Sequence, residues 1–423
     1  MTDGGDPSPA SSSLARHGRE LGTIAIVSIV GIIATAGFQI VAVRGLGPAD
    51  FGLLAALLAV INIVAIGSGA LRTSVAVNAA RATLAPAGQP GGATRDTALT
   101  ESLILGGAST LTVVVLAPWL LIALDSTPLA LAITTAALLP YFLFARAQGV
   151  LQGLGRTRAV VYWTTGSQVL QLALTVAVVM LGFGVTGVLI AVLATVILGT
   201  FGSSMQARRL STPTSRRAFD RDTTVVLLLT IAFAVVTNVD VILVRALAST
   251  TEAGAYAAAA VLVKTTLIIP ATLSLYLLPR FVVHSDDRAR SRRGLTLTLL
   301  VTLGGGILVA LALALIAGPI IELLFGGEYS LAISYLPLLA ISFVPWAVAQ
   351  AVLIRTTAVA SRFGLVVVIV VAVAQGIAGV ALLPTVEHYI IANGLLGSAA
   401  AIVLLLDARR DSAALRSEQR RSA

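Results

Sequence analysis

Of 423 residues, 57% are hydrophobic and 11% charged, and the mean hydropathy is +0.98, a balance outside the range of soluble globular domains. The 28 lysines and arginines outnumber the 19 aspartates and glutamates for a formal charge of +9, but they alternate by loop, which assigns them to membrane topology and excludes nucleic acid. With no cysteine, a disulfide framework and a thiolate metal site are excluded as well.

Taken in order, residues 1–20 are polar and rich in Ser, Pro and Gly, a composition that predicts a disordered cytoplasmic tail. No short apolar core with a small-residue cleavage site precedes the first hydrophobic run, so the leader does not read as a signal peptide. Twelve windows then follow, each long enough for about 30 Å of hydrocarbon. They fall at about 21–43, 52–71, 98–122, 129–147, 159–181, 185–205, 223–247, 254–279, 295–317, 331–353, 363–383 and 389–407. Their length and uniform apolarity make them helices rather than barrel strands, so the fold class is an all-α integral membrane protein. The polar stretch 206–222 lies after six spans and before six more, dividing the chain into lobes at 21–205 and 223–407, and the basic segment 408–423 forms a second cytoplasmic tail.

The halves read as copies of each other. Placing Arg44 on Arg245 aligns "VAVRGLG" with "ILVRALA", and one inserted residue later "DFG" falls on "EAG". "SVAVNAAR", ending at Arg81, matches "SLYLLPR", ending at Arg280, and "VLQGLGRTR" at 150–158 matches "VLIRTTAVASR" at 352–362. Six spans per copy give both lobes the same orientation, a parallel duplication about an axis along the membrane normal. Arginines crowd one set of loops, among them Arg72, Arg81, Arg146, Arg156, Arg208, Arg209, Arg280 and Arg362. That set is expected to face the cytoplasm together with both termini, which places the protein in the plasma membrane. Arg44 and Arg245 alone fall on the opposite, outer side.

Enzyme chemistry is sparse. His17, His284 and His388 are scattered without metal-ligand spacing, and no Walker A loop occurs. "GFGVTG" at 182–187 matches a dinucleotide fingerprint in form, yet it joins two apolar helices with no strand before it and reads as a tight turn. No cofactor is therefore expected.

An ionisable group inside a span costs at least about 2.5 kcal/mol, so each one is a functional candidate. Asp240 lies near the end of span seven and Lys264 a similar distance back into span eight, each about 10 Å deep at 1.5 Å per residue, so the two can pair. A structural ion pair is the plain reading; the functional one has the pair open for substrate phosphate or for coupling H⁺ or Na⁺ at Asp240. Arg44 and Arg245 either snorkel to headgroups or serve in anion binding or gating. Arg44, Arg72, Arg81, Arg245, Lys264 and Arg280 all belong to spans one, two, seven and eight. If those spans face a common space it is a cationic cavity suited to phosphate, with Gln39, Asn62, Asn78 and Asn238 as neutral polar neighbours. Pro140, Pro270, Pro337 and Pro345 mark kinks and candidate hinges.

"VAVRGLGPADFGLLAALLAV" (41–60), the segment 150–194 and "TNVDVILVRALASTTEAGAYAAAAVLV" (237–263) resemble the polysaccharide biosynthesis proteins of the oligosaccharide flippase type. These belong to the multidrug/oligosaccharidyl-lipid/polysaccharide (MOP) exporter superfamily. The resemblance runs over about residues 20–408. It implies two six-helix lobes around a cavity lined by spans one, two, seven and eight. It further implies a flippase, not an enzyme, that moves a polyprenyl-diphosphate-linked oligosaccharide to the outer leaflet by alternating access. Membrane lipids, and glycan polymerases or glycosyltransferases, are the partners it suggests. The rival readings are a cation-coupled drug or metabolite antiporter of the same superfamily, a peptidoglycan-precursor flippase and a non-transporting scaffold.

Overall fold

A computed structural model describes residues 9–84, 96–210, 221–267, 288–358 and 360–422. These residues are helical apart from short turns, and no strand occurs among them. Among the described residues, ten helices are long and apolar enough to cross a bilayer. One of them, Gly22–Ala80, holds spans one and two together, and of the stretch 254–279 expected as span eight the described residues reach only Leu267. Eleven of the twelve expected spans are thereby found among the described residues.

Helix α1 (Pro9–Leu84) is bent where spans one and two meet, at Gly47, whose φ of 71° with ψ of 170° breaks the helical path ahead of Pro48. Only glycine adopts that conformation without strain, and proline at the next position suits a fresh first turn. Spans three to six are α2 (Thr97–Ala123), α3 (Pro128–Gly153), α4 (Thr157–Met180) and α5 (Gly184–Leu210). Span seven is split into α6 (Arg221–Val236) and α7 (Val239–Leu247), and span eight opens as α8 (Thr250–Val263) with a 3₁₀ turn at Lys264–Leu267. Then come α9 (Arg288–Leu315), the short α10 (Ala317–Leu324), α11 (Ser330–Ala358), α12 (Arg362–Leu382) and α13 (Val386–Ser422). The "GFGVTG" stretch spans the α4–α5 turn at Gly182 and Phe183 and the first turn of α5. Pro140 lies within α3, and Pro337 and Pro345 within α11; Pro270 is outside the described residues.

Helix α1 reaches back to Pro9, into the stretch whose composition predicts disorder, and α13 runs to Ser422 through the basic tail. In both places a polar, basic segment continues an apolar helix, and propagating an existing helix costs far less than nucleating one.

Packing repeats between the lobes. In the first, α1 packs on α3 and α4, α2 on α3, α3 on α5 and α4 on α5; in the second, α8 packs on α11, α6 and α7 on α12, α9 on α11, α11 on α13 and α12 on α13. Each pair in one list has its counterpart in the other, as a duplication requires. The lobes meet where α1 lies against α6, α7 and α8. Leu116, Ile122 and Val380 are exposed on the outer surface, where lipid tails replace water as the solvent.

Candidate functional site

Spans one, two, seven and eight enclose a cavity of about 570 Å³. Its walls are mostly apolar, with four amides, Gln39, Asn62, Gln168 and Asn238, and one charged side chain, Lys264. At one end it stops against Leu324 and Phe325, beyond which the lobes are clamped together.

The clamp is reciprocal. Arg44, closing span one, donates from Nε to the Leu324 carbonyl at 2.9 Å and from Nη2 to the Leu323 carbonyl, at the C-terminus of α10 in the opposite lobe. Arg245, closing span seven, donates from Nε to the carbonyl of Leu124, the C-cap of α2 in the first lobe, at 3.1 Å, and from Nη1 to the Ala49 carbonyl at 3.2 Å. Both cations thus satisfy carbonyls left unpaired at a helix C-terminus, where the helix dipole favours positive charge. Between them α1 and α8 touch backbone to backbone: a Cβ at Gly254 would lie 1.9 Å from the Pro48 carbonyl oxygen, and Gly52 faces Gly254 in turn. The Tyr329 hydroxyl donates across the lobes to the Val43 carbonyl at 2.8 Å, with Phe51 edge-on to its ring.

On the second-lobe wall, the break in span seven shapes the site. Thr237 and Asn238 turn their side chains back to the carbonyls of Phe233 and Ala234, at 2.9 and 2.8 Å, so the helix restarts at Val239 with Asp240 in its first turn. A carboxylate there is favoured by the new helix N-terminus. Asp240 is fully buried, accepting from Lys264 Nζ at 3.0 Å and from the Tyr256 hydroxyl at 2.9 Å. Lys264 also lies 5.7 Å from the centroid of the Phe343 ring. The pair expected from depth alone is formed, with the buried carboxylate behind and the Lys264 side chain, 22% exposed, at the cavity surface.

The described residues bring one of the six expected cations to the cavity wall. Lys264 is the one cation on its wall among the described residues, and it is neutralised by Asp240. Arg44 and Arg245 cap carbonyls at the clamped end. Arg72 turns into the first lobe, where Nη1 donates to Gln148 Oε1 at 3.3 Å and Gln148 in turn donates to Thr164 at 2.9 Å. Arg280 and the side chain of Arg81 lie outside the described residues. The physical reason is desolvation: a guanidinium at a helix end finds backbone carbonyls nearby, a better environment than an apolar wall.

Sequence reading missed a second polar layer behind Asp240. Gln375 and Asn393, both buried, bond through Gln375 Nε2 to Asn393 Oδ1 at 2.9 Å, and Gln375 Nε2 also reaches the Val236 carbonyl at 3.1 Å, at the break in span seven. Gln375 Oε1 and the Tyr389 hydroxyl are both buried without a hydrogen-bond partner among the described residues. Gln375 and Asn393 were available in the sequence as lone amides in spans eleven and twelve. Gln168 in span five likewise reaches the cavity.

A family model described as "Polysaccharide biosynthesis protein" matches residues 41–334, more than half of the chain. The chain belongs to that family. Among solved structures, the inward-facing conformation of a multidrug resistance MATE family transporter of the MOP superfamily matches with a TM-score of 0.67 at 17% identity, covering 92% of this chain and 96% of that one. The lipid II flippase MurJ in its inward closed conformation gives a TM-score of 0.70 at 14% identity, over 92% and 87%. An outward-facing MATE transporter of the same superfamily gives 0.62 at 18%, over 93% and 95%. The fold of this family member is thus that of MOP superfamily transporters. No curated protein matches the sequence significantly.

Proposed function

We propose that this family member is a flippase for a lipid-linked oligosaccharide, carrying the glycan and its polyprenyl diphosphate from the cytoplasmic to the outer leaflet by alternating access. The observation that carries the reading is the cavity between duplicated spans in a member of the polysaccharide biosynthesis family, amide-lined and holding a single reachable ammonium. Amides match sugar hydroxyls as both donors and acceptors, and Lys264 supplies a point charge for a phosphate. Phosphate competes with Asp240 for Lys264, and Asp240, released from the pair, takes up H⁺ or Na⁺ beside Tyr256. In this scheme the termini face the cytoplasm and the Arg44–Arg245 clamp is the outer gate. An inside-negative potential of 100 mV favours outward passage of two negative charges by about 4–5 kcal/mol, less whatever charge the protein contributes.

The test is genetic and biochemical. A deletion strain accumulates lipid-linked oligosaccharide on the cytoplasmic face, and Lys264→Ala fails to restore surface glycan although the protein reaches the membrane. Full rescue by Lys264→Ala removes the phosphate role. Heightened drug susceptibility with normal surface glycan points instead to the antiporter reading, for which the buried Asp240 would be the coupling site.

A further inference from the structure

A second hollow, of about 600 Å³, lies on the outer surface of the first lobe between α2, α3 and α5, away from the cavity between the lobes. Its upper wall is apolar, from Leu103, Pro140 and Phe201, of which Leu103 and Phe201 are exposed to the bilayer. Its lower end carries Arg146, Arg208 and Arg209. From Phe201 to Arg209 the helix rises about 12 Å, so the hollow runs from hydrocarbon to headgroup depth.

Arg146 is the unusual member. It is 8% exposed and held by an ion pair between its Nη2 and Asp96 Oδ2, while Asp96 Oδ1 caps α2 by accepting from the Leu99 amide at 3.0 Å. Its Nε is buried with no partner. The charge rule for loops needs arginines near the surface and gives no reason to bury one. In the second lobe the alignment of 150–158 with 352–362 puts Val348 at the matching position. Three guanidiniums against one carboxylate leave the lower end positive, beneath a wall that only an acyl chain would solvate.

We propose that this hollow is a binding site for an anionic glycerophospholipid, its phosphodiester on Arg146, Arg208 and Arg209 and an acyl chain along Pro140 and Phe201. The site is independent of the transported substrate, being separated from the cavity and made entirely from the first lobe. Guanidinium forks suit phosphate oxygens, and the unpartnered Nε of Arg146 gains an acceptor.

The experiment uses the full chain in nanodiscs of phosphatidylcholine containing phosphatidylglycerol, extracted into detergent and analysed by native mass spectrometry for retained lipid. The wild type retains phosphatidylglycerol in preference to phosphatidylcholine. Arg208→Gln with Arg209→Gln, both exposed and so safe for folding, lowers that retention about tenfold, the effect of a lost charge-assisted contact. Arg216→Gln with Arg217→Gln, the same charge change in the following linker, leaves it unchanged. Retention unaffected by Arg208→Gln/Arg209→Gln, an equal loss in the linker variant, or no preference in the wild type each overturns the proposal. Normal surface glycan in the Arg208/Arg209 variant keeps this result separate from the flippase reading.

Discussion

In the first lobe Gln39 and Asn62 face the cavity beside Gln168; in the second, the positions aligned with Gln39 and Asn62 hold Asp240 and Lys264. The alignment that sets Arg44 on Arg245 sets Gln39 on Asp240, and after the one-residue insertion Gly52 falls on Gly254 and Asn62 on Lys264. The duplicated features that match are those that close one end: the arginine at each span terminus and the paired glycines where α1 meets α8. Those that differ line the hollow or back it. A two-fold closure needs the same part from each lobe, because each arginine reaches the helix C-terminus of the other. Binding chemistry has no such requirement, and one ionisable pair on one wall suffices.

The sharpest way to break that contrast is to remove one charge. Asp240→Ala leaves Lys264 unpaired, and Lys264→Ala leaves a fully buried carboxylate with Tyr256 alone; each is expected to destabilise the protein by about 3–5 kcal/mol, read as thermal unfolding in detergent. Grafting the first lobe's chemistry onto the second, Asp240→Gln with Lys264→Asn, removes both charges together. Its stability should stay within about 2 kcal/mol of wild type, since replacing a whole buried pair is far milder than halving it. Surface glycan should nevertheless be lost, and its persistence would make the ion pair purely structural.

Next in size is the glycine contact. Gly254→Ala puts a methyl 1.9 Å from the Pro48 carbonyl oxygen, where backbone must move, at a cost of about 1–3 kcal/mol. The closed gate alone bears that cost, so the lobes should part at the Arg44 end. The chain has no cysteine, so a single Ala253→Cys probe, buried where α8 meets Gly52 of α1, reports the change as faster labelling by a membrane-impermeant thiol reagent.

The smallest effects come from the clamps. Arg245→Ala removes two hydrogen bonds of a buried guanidinium, about 1.5–3 kcal/mol of gate closure, whereas the solvent-exposed Arg44 should contribute about 1 kcal/mol or less. The same Ala253→Cys labelling ranks the two. Equal effects would mean that burial does not set the strength of the clamp.

Much of the fold was legible in the sequence because hydrophobicity and charge bias act locally. The spans, the lobes and even the Asp240–Lys264 pair follow from counting residues along helices of known rise. The family resemblance placed spans one, two, seven and eight around the cavity, and they do surround it. Less legible were the capping box that starts α8, formed by Ser249 and Glu252 although "STTE" spells it, and the Gln375–Asn393 bond, whose members are 18 residues apart on separate helices.

What the sequence could not determine was the direction of the arginines. Arg44, Arg72 and Arg245 were grouped by span, yet their partners are a helix end in the other lobe, an amide on span four, and a pair of first-lobe carbonyls to which lobe docking brings Arg245. Composition decides that a cation lies at a given depth, because moving it deeper is costly at once. Which acceptor it finds depends on chain segments up to 280 residues away, and only the packed tertiary structure puts those carbonyls within reach.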